Sequence, residues 1–293
     1  GLGAAHDPDL LERVAQVTAR EILATGVDWT FAPTLAVARD SKWGRTYESY
    51  SEDPQLVCAY SGRFVNGLQG DLGDDSVVAS IKHWVGDGGT SHGIDQGDTK
   101  ASEDELRQLH IAPYLPALEA GALTVMVSFN SWQGEKCHGH KYLLDYLLKG
   151  QLQFKGFIIS DWDGIDYLSE NYYDAVAMGV NAGIDMFMVS EHWHPFIQHL
   201  THHVAQGTVS MERIDDAVRR ILTVKFAFGL FEKPRPAARS WSNHASFGSQ
   251  EHRQVAREAV RKSLVMLKND DGLLPLASSQ RILVAGKNAH NKG

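Results

Sequence analysis

Cysteine is nearly absent: Cys58 and Cys137 are the only two in 293 residues. That is too few for a disulfide framework, and they lack the paired C-x-x-C spacing of a zinc site, so both are assigned to packing. Positive charge is also short, with 28 Lys and Arg against 36 Asp and Glu and a formal net charge of -8. No basic stripe is available to neutralise phosphates, which argues against a nucleic-acid partner and suits a neutral ligand. No apolar run approaches the roughly 18 residues of a membrane-spanning helix, and no basic-then-apolar leader opens the chain, so no membrane partner is expected. The glycine-rich GDGGTSHG at 86–93 has no following Lys-Ser/Thr and no G-x-G-x-x-G spacing, and reads as a tight loop and not a phosphate cradle. His192, His194, His199, His202 and His203 cluster, and three of them fall on one helical face. They lack acidic or cysteine partners at defined spacing, so neither a metal nor a cofactor is expected.

Hydrophobic residues make up 43% and charged residues 22%, ordinary for a globular protein with a substantial core. Apolar positions at helical spacing predict helices over 8–25, 53–67, 102–121, 140–152, 173–182, 195–207, 210–228 and 251–266. Asp7, Asp53 and Ser102 stand where caps belong, and Ser210 opens a possible capping box. Nearly all-apolar runs over 27–37, 77–85, 123–129, 157–159 and 184–189 predict strands between them. Alternation of this kind predicts a parallel (β/α)8-type, TIM-like barrel over 1–231. About five barrel strands are visible, fewer than a complete barrel holds, and the expectation is a barrel incomplete at its N-terminal side. Residues 232–279 read as a linker with a helix. The run RILVAG at 281–286 reads as the first strand of a second α/β sandwich domain, truncated within 280–293.

The stretch GFIISDWDG at 156–164 organises the candidate site. Its apolar strand stops at Ser160, Asp161 and Trp162, and in a parallel barrel that end faces the open mouth. An indole beside a carboxylate suits a sugar, because the ring covers C–H groups while the acid takes hydroxyls or attacks carbon. Asp161 could equally cap the next helix. Other predicted strand ends carry Arg39, Asp40 and Arg45, then Lys82, His83 and Asp87, then Trp132. Charges of both signs with two tryptophans at one mouth fit a polyhydroxyl ligand. Structural ion pairs, Arg45 with Glu48 or Lys82 with Asp87, are the bland alternative. A Schiff-base lysine at position 82 is a further one, though His83 and Asp87 make its surroundings polar.

With these motifs in view, the chain resembles glycoside hydrolase family 3, in its β-glucosidase and exo-1,3/1,4-glucanase branch. The resemblance runs through FAPTLAVARDSKWGRTYESYSEDP, IKHWVGDGGT, VMVSFNSWQGEKCHG, GFIISDWDGID, MERIDDAVRRILTVKFAFGLFE and EAVRKSLVMLKND. It implies a retaining exo-hydrolase that releases glucose from non-reducing ends of β-glucosides or β-glucans, with β-xylosides as the alternative substrates. Asp161 would be the nucleophile, Arg45, Lys82 and His83 would hold hydroxyls of the terminal sugar, and Trp162 would line the entrance. The general acid would come from a second domain outside this chain, and the family's polysaccharide substrates favour a periplasmic or extracellular setting. Val85 and Gly93 depart from the histidine-acid loop of the N-acetylglucosaminidase branch. A non-catalytic sugar-binding remnant of the same family is the competing expectation.

Overall fold

The computed structural model describes residues 1–291. Helix α1 (Pro8–Ala24) starts where Asp7 accepts the Leu10 N–H at 2.9 Å, and Pro8 occupies the first turn, where a missing N–H costs nothing. Strand β1 (Trp29–Thr30) is much shorter than the predicted 27–37 run. Pro33 has no N–H to extend a ladder, and only a Thr34–Lys82 bridge follows. Helix α2 (Pro54–Gln69) is capped by Asp53 and lies against α1. The two helices approach so closely that a Cβ on Gly67 would sit 2.4 Å from the Glu12 carbonyl oxygen.

Strand β2 (Val78–Trp84) and the short β3 (Asp98–Thr99) come next. The predicted cap forms at Ser102, as a full capping box with Glu105, and opens α3 (Glu103–Glu105). The single helix expected to 121 does not form. A π-helical turn, Leu106–Ile111, and Pro113 interrupt it before α4 (Tyr114–Glu119), because a proline removes a donor from the helical ladder. Strands β4 (Thr124–Val127), β5 (Ser131–Trp132) and β6 (Glu135–Lys136) precede a π-helical stretch, Tyr142–Gln151, where an α-helix was expected. Strand β7 (Phe157–Ile159) leads to α5 (Tyr172–Ala182), α6 (Trp193–Ala205), α7 (Met211–Ala227) and α8 (Gln250–Ser263). At α7, Ser210 accepts the Arg213 N–H, but the expected capping box stays one-sided because Arg213 has no acceptor to return.

Strands β1, β2, β4 and β7 pair in parallel in that order, with Ser80 opposite Thr124 and Thr124 opposite Phe157. Every residue of β4 and β7 is buried, as a parallel sheet covered on both faces requires. This is a TIM-like α/β fold. The strand expected over 184–189 is reduced to one Ile159–Met186 bridge; Ile158 and Ser160 pair with Asp185 and Met186, and beyond them only the Asp163 N–H reaches across, to the Met188 carbonyl, out of ladder register. Among the described residues the sheet stays open between β1 and that segment. Strands β3, β5 and β6 form a separate small sheet. In the core, Trp84 meets Tyr114 edge-on at 4.9 Å and donates its indole N–H to the Leu143 carbonyl.

Residues 232–249 fold back on the barrel, where Arg239 reaches Asp28 at 2.7 Å. Helix α8 crosses α1 through Arg13–Glu258 and Lys262–Asp7. After Ser263 the chain is almost wholly exposed, and no strand forms over 281–286 among the described residues. A lone strand has no neighbour to take its N–H and C=O groups.

A charged cluster holds β7 from beneath. Asp185, fully buried, accepts the Ile158 N–H at 2.8 Å and the Lys149 ammonium at 2.7 Å, and it pairs with Arg213. Arg220 adds bonds to the Phe154 and Gly156 carbonyls just ahead of the strand. Asp185→Ala removes the buried one of the two carboxylates that face Lys149 and Arg213, leaving both to the half-exposed Asp216, and strands the Ile158 N–H. It is expected to lower the unfolding free energy by about 3–5 kcal/mol, measured by denaturant titration; a loss under about 1 kcal/mol would contradict this role for the cluster.

Candidate active site

Polar side chains at the carboxyl ends of β2 and β7 come together. The register between β2 and β4 shifts between Ile81 and Trp84, and a bulge of this kind re-aims the side chains it contains. Those side chains are Lys82 and His83. His83 is buried and bonds Asp87 through Nδ1 at 3.0 Å, while its Nε2 lies 3.5 Å from Oδ2 of Asp161. The loop after β1 brings in Arg45, whose Nη2 is 3.4 Å from His83 Nε2. Arg45 grips Glu48 with two bonds of 2.8 Å, and this pairing holds Glu48 below the usual carboxylate range and raises Arg45.

Four residues expected at the mouth, Arg45, Lys82, His83 and Asp161, are therefore neighbours. The bland pairing of Arg45 with Glu48 exists as well, and it orients the guanidinium toward His83. The other bland pairing is corrected: Asp87 bonds His83, four residues away, in place of Lys82. The Lys82 ammonium makes no hydrogen bond or ion pair among the described residues. Burial, then the charge of Arg45, lowers its pKa, against the pull of Glu48, Asp161 and Asp87. A Schiff-base lysine needs surroundings free of such carboxylates, and Lys82 faces three.

Asp161 follows β7 by two residues. Its Oδ1 accepts the Trp162 N–H at 2.7 Å, and the short helix Gly164–Tyr167 beyond it has no side-chain cap. The capping alternative for Asp161 thus falls away. The Trp162 ring is 64% exposed at the rim, where its face is open to a ligand. Trp132 is corrected in the other direction. It is buried, donates its indole N–H to the Ala101 carbonyl and stacks on Tyr142, so it offers the mouth no face. Arg39 and Asp40 serve their own loop, Arg39 by bonding the Glu52 carbonyl and Asp40 by accepting the Lys42 N–H.

Residue-by-residue reading missed His138. It lies in the turn Cys137–Gly139, is fully buried, and its Nε2 accepts the Asp161 N–H at 2.9 Å. No periodicity marks such a residue, because its partner is a backbone atom 23 positions away; its place in the block VMVSFNSWQGEKCHG was the one signal that could have found it. Among the described residues, no group of three or more His, Cys, Asp or Glu side chains is placed to hold a metal ion. The histidines on the predicted α6 face go elsewhere, with His203 bonding the Tyr173 carbonyl and His202 the Tyr173 hydroxyl.

Parallel strands feeding a mouth of one carboxylate, a histidine-acid pair, two basic groups and an open indole define the class: a TIM-like α/β domain with a polar ligand site. The profile of the glycosyl hydrolase family 3 N-terminal domain matches residues 1–224, and the chain belongs to that family. It is 36% identical to a beta-xylosidase of Formosa agariphila over 98% of this chain and 42% of that protein. A periplasmic beta-glucosidase of Salmonella typhimurium is 33% identical over 98% of this chain and 38% of that protein. Among solved structures, an exo-1,3/1,4-beta-glucanase from a Pseudoalteromonas species superposes with a TM-score of 0.95 at 49% identity, covering 98% of this chain and 37% of that one. A beta-glucosidase from Listeria innocua, solved in complexes with laminaribiose, glucose and isofagomine, is 32% identical, with a TM-score of 0.89 in the first and third of these and 0.88 with glucose. The chain spans about two fifths of the length of these relatives.

Two buried histidines make the fold sensitive to acid. Burial pushes His110 down to about 4 and His138 down to about 3. Below the ordinary histidine range the unfolded chain binds protons that these rings refuse when folded. Their contribution to stability is therefore complete above about pH 6.5 and is lost as pH falls toward those values. Denaturant titrations from neutral pH down to about pH 4.5 should show a loss of up to about 1.4 kcal/mol per pH unit for each ring. His110→Gln should reduce that slope by about one proton; an unchanged slope would contradict the assignment.

Proposed function

We propose that this chain is the nucleophile-bearing part of a retaining, exo-acting β-glucosidase or β-glucan hydrolase. The observation that carries the reading is the placement of Asp161 at the end of β7, with one carboxylate oxygen bonded to the Trp162 N–H and the other facing His83. In the first step the Asp161 carboxylate attacks the anomeric carbon. The bond to the leaving oxygen breaks, its electron pair goes to that oxygen, and an acid supplies the proton. In the second step water attacks the same carbon, gives up a proton, and frees both the sugar and the carboxylate.

Arg45 and Lys82 donate hydrogen bonds to hydroxyls of the bound sugar, His83 holds a hydroxyl through its Nε2, and Trp162 covers the face of the next unit. The acid is assigned to residues outside this chain. The two other carboxylates beside Asp161 are already engaged, Asp87 with His83 and Glu48 with Arg45. Glucosides are the proposed substrates, because the structural relative at 49% identity is named a β-glucanase. Xylosides are the second reading, carried by the beta-xylosidase relative. A site of action outside the cytoplasm is proposed from the relatives named as periplasmic. No helix among the described residues is long and apolar enough to cross a membrane.

Incubation with a 2-deoxy-2-fluoro-β-glucoside bearing an activated leaving group tests the nucleophile without the acid, since such a group departs unprotonated. One glycosyl adduct is expected by intact mass, mapping to Asp161, with adduct formation at least about a thousandfold slower in Asp161→Asn. An adduct on another residue would move the nucleophile away from Asp161, and none on the folded chain would leave the non-catalytic sugar-binding reading in its place. Relative kcat/KM for aryl β-glucoside and β-xyloside then decides between the two sugars.

A further inference from the structure

We propose that His138 is a positioning residue for the nucleophile, holding the Asp161 backbone through a neutral imidazole so that the carboxylate presents one oxygen to the sugar. The proposal rests on the reading of Asp161 as nucleophile and goes beyond it. Because Nε2 accepts the Asp161 N–H, the ring proton must sit on Nδ1, and there it meets the backbone carbonyl of Ser128. Ser128 directly follows β4, and Asp161 follows β7 by two residues. One imidazole therefore ties together the ends of two adjacent strands at the mouth.

The surroundings keep the ring in that state and place. Its deep burial disfavours the imidazolium, whose Nε2 could no longer accept a bond. The Lys136 ammonium opposes protonation further. Phe129 lies against one side, with ring centroids 5.6 Å apart. On the other side the 160–164 loop wraps over it so closely that a Cβ on Gly164 would fall 2.2 Å from Nε2. With its N–H held by His138 and Oδ1 held by the Trp162 N–H, Asp161 keeps Oδ2 as its oxygen facing His83. A nucleophile fixed at both points starts near its reactive geometry, and small displacements from such geometry cost up to about a hundredfold in rate.

The test compares three variants in the whole protein that carries this chain, using the 2-fluoro-glucoside and reading the maximal labelling rate separately from the half-saturating concentration. His138→Leu fills the space without an acceptor, His138→Asn keeps a donor for Ser128 but is too short for Asp161, and His138→Gln restores an acceptor at the right reach. Leu and Asn are expected to slow labelling about 10- to 100-fold with the half-saturating concentration within about twofold, and Gln to recover most of the rate. If Leu does not fold, Asn against Gln makes the same comparison. Labelling of Asp161 at the wild-type rate in Leu or Asn, or equal slowing in Asn and Gln, overturns the positioning role alone. Labelling of a different residue in the wild-type protein overturns the nucleophile reading, and this one with it.

Discussion

Everything at the mouth depends on where the backbone of β7 is held. Three buried residues cannot anchor a strand end by themselves, and this strand is gripped from both ends of its short length. Beneath it, Asp185 accepts the Ile158 N–H while Lys149 and Arg213 neutralise the carboxylate, and Arg220 takes the carbonyls that lead into the strand. Burying these charges costs solvation, and the mutual pairing and backbone bonds offset that cost only because each group has its partner. Above the strand, His138 takes the next exposed N–H, that of Asp161.

The second constraint is electrostatic. Within one cluster the chain assembles Arg45, Lys82 and His83 among Glu48, Asp87 and Asp161, so each basic group lies near a compensating carboxylate. The pairing is uneven. Glu48 and Asp87 are each bonded to a neighbour, whereas Lys82 is held in a partly buried place by through-space attraction alone, and its pKa falls accordingly.

Much of this was legible from residue order. The helix starts at Asp7, Asp53 and Ser102 and the apolar strands 77–85, 123–129 and 157–159 follow from patterns local in the chain, and the grouping of Arg45, Lys82, His83 and Asp161 from the family resemblance. The misreadings share a cause. The 27–37 and 184–189 runs are apolar enough for strands, yet strand length depends on a neighbour's N–H and C=O groups, and Pro33 and the sheet's open edge limit those. Trp132 looked like a mouth residue because it follows a strand; its indole found the Ala101 carbonyl and the Tyr142 ring instead.

The order of residues by itself determined the alternation of strand and helix, the position of an acid at a strand end and the family to which the chain belongs. Those properties depend on spacing within a few residues, on caps, and on blocks of matched residues. Only the tertiary structure decided that Asp87 serves His83, that Glu48 aims Arg45, that Asp161 is no helix cap, and that His138 stands behind it. Each is a contact of about 3 Å between atoms whose meeting depends on strand register, a bulge at Lys82 and His83, and the path of a turn. No periodicity in the chain encodes those distances, because they are set by how the elements pack.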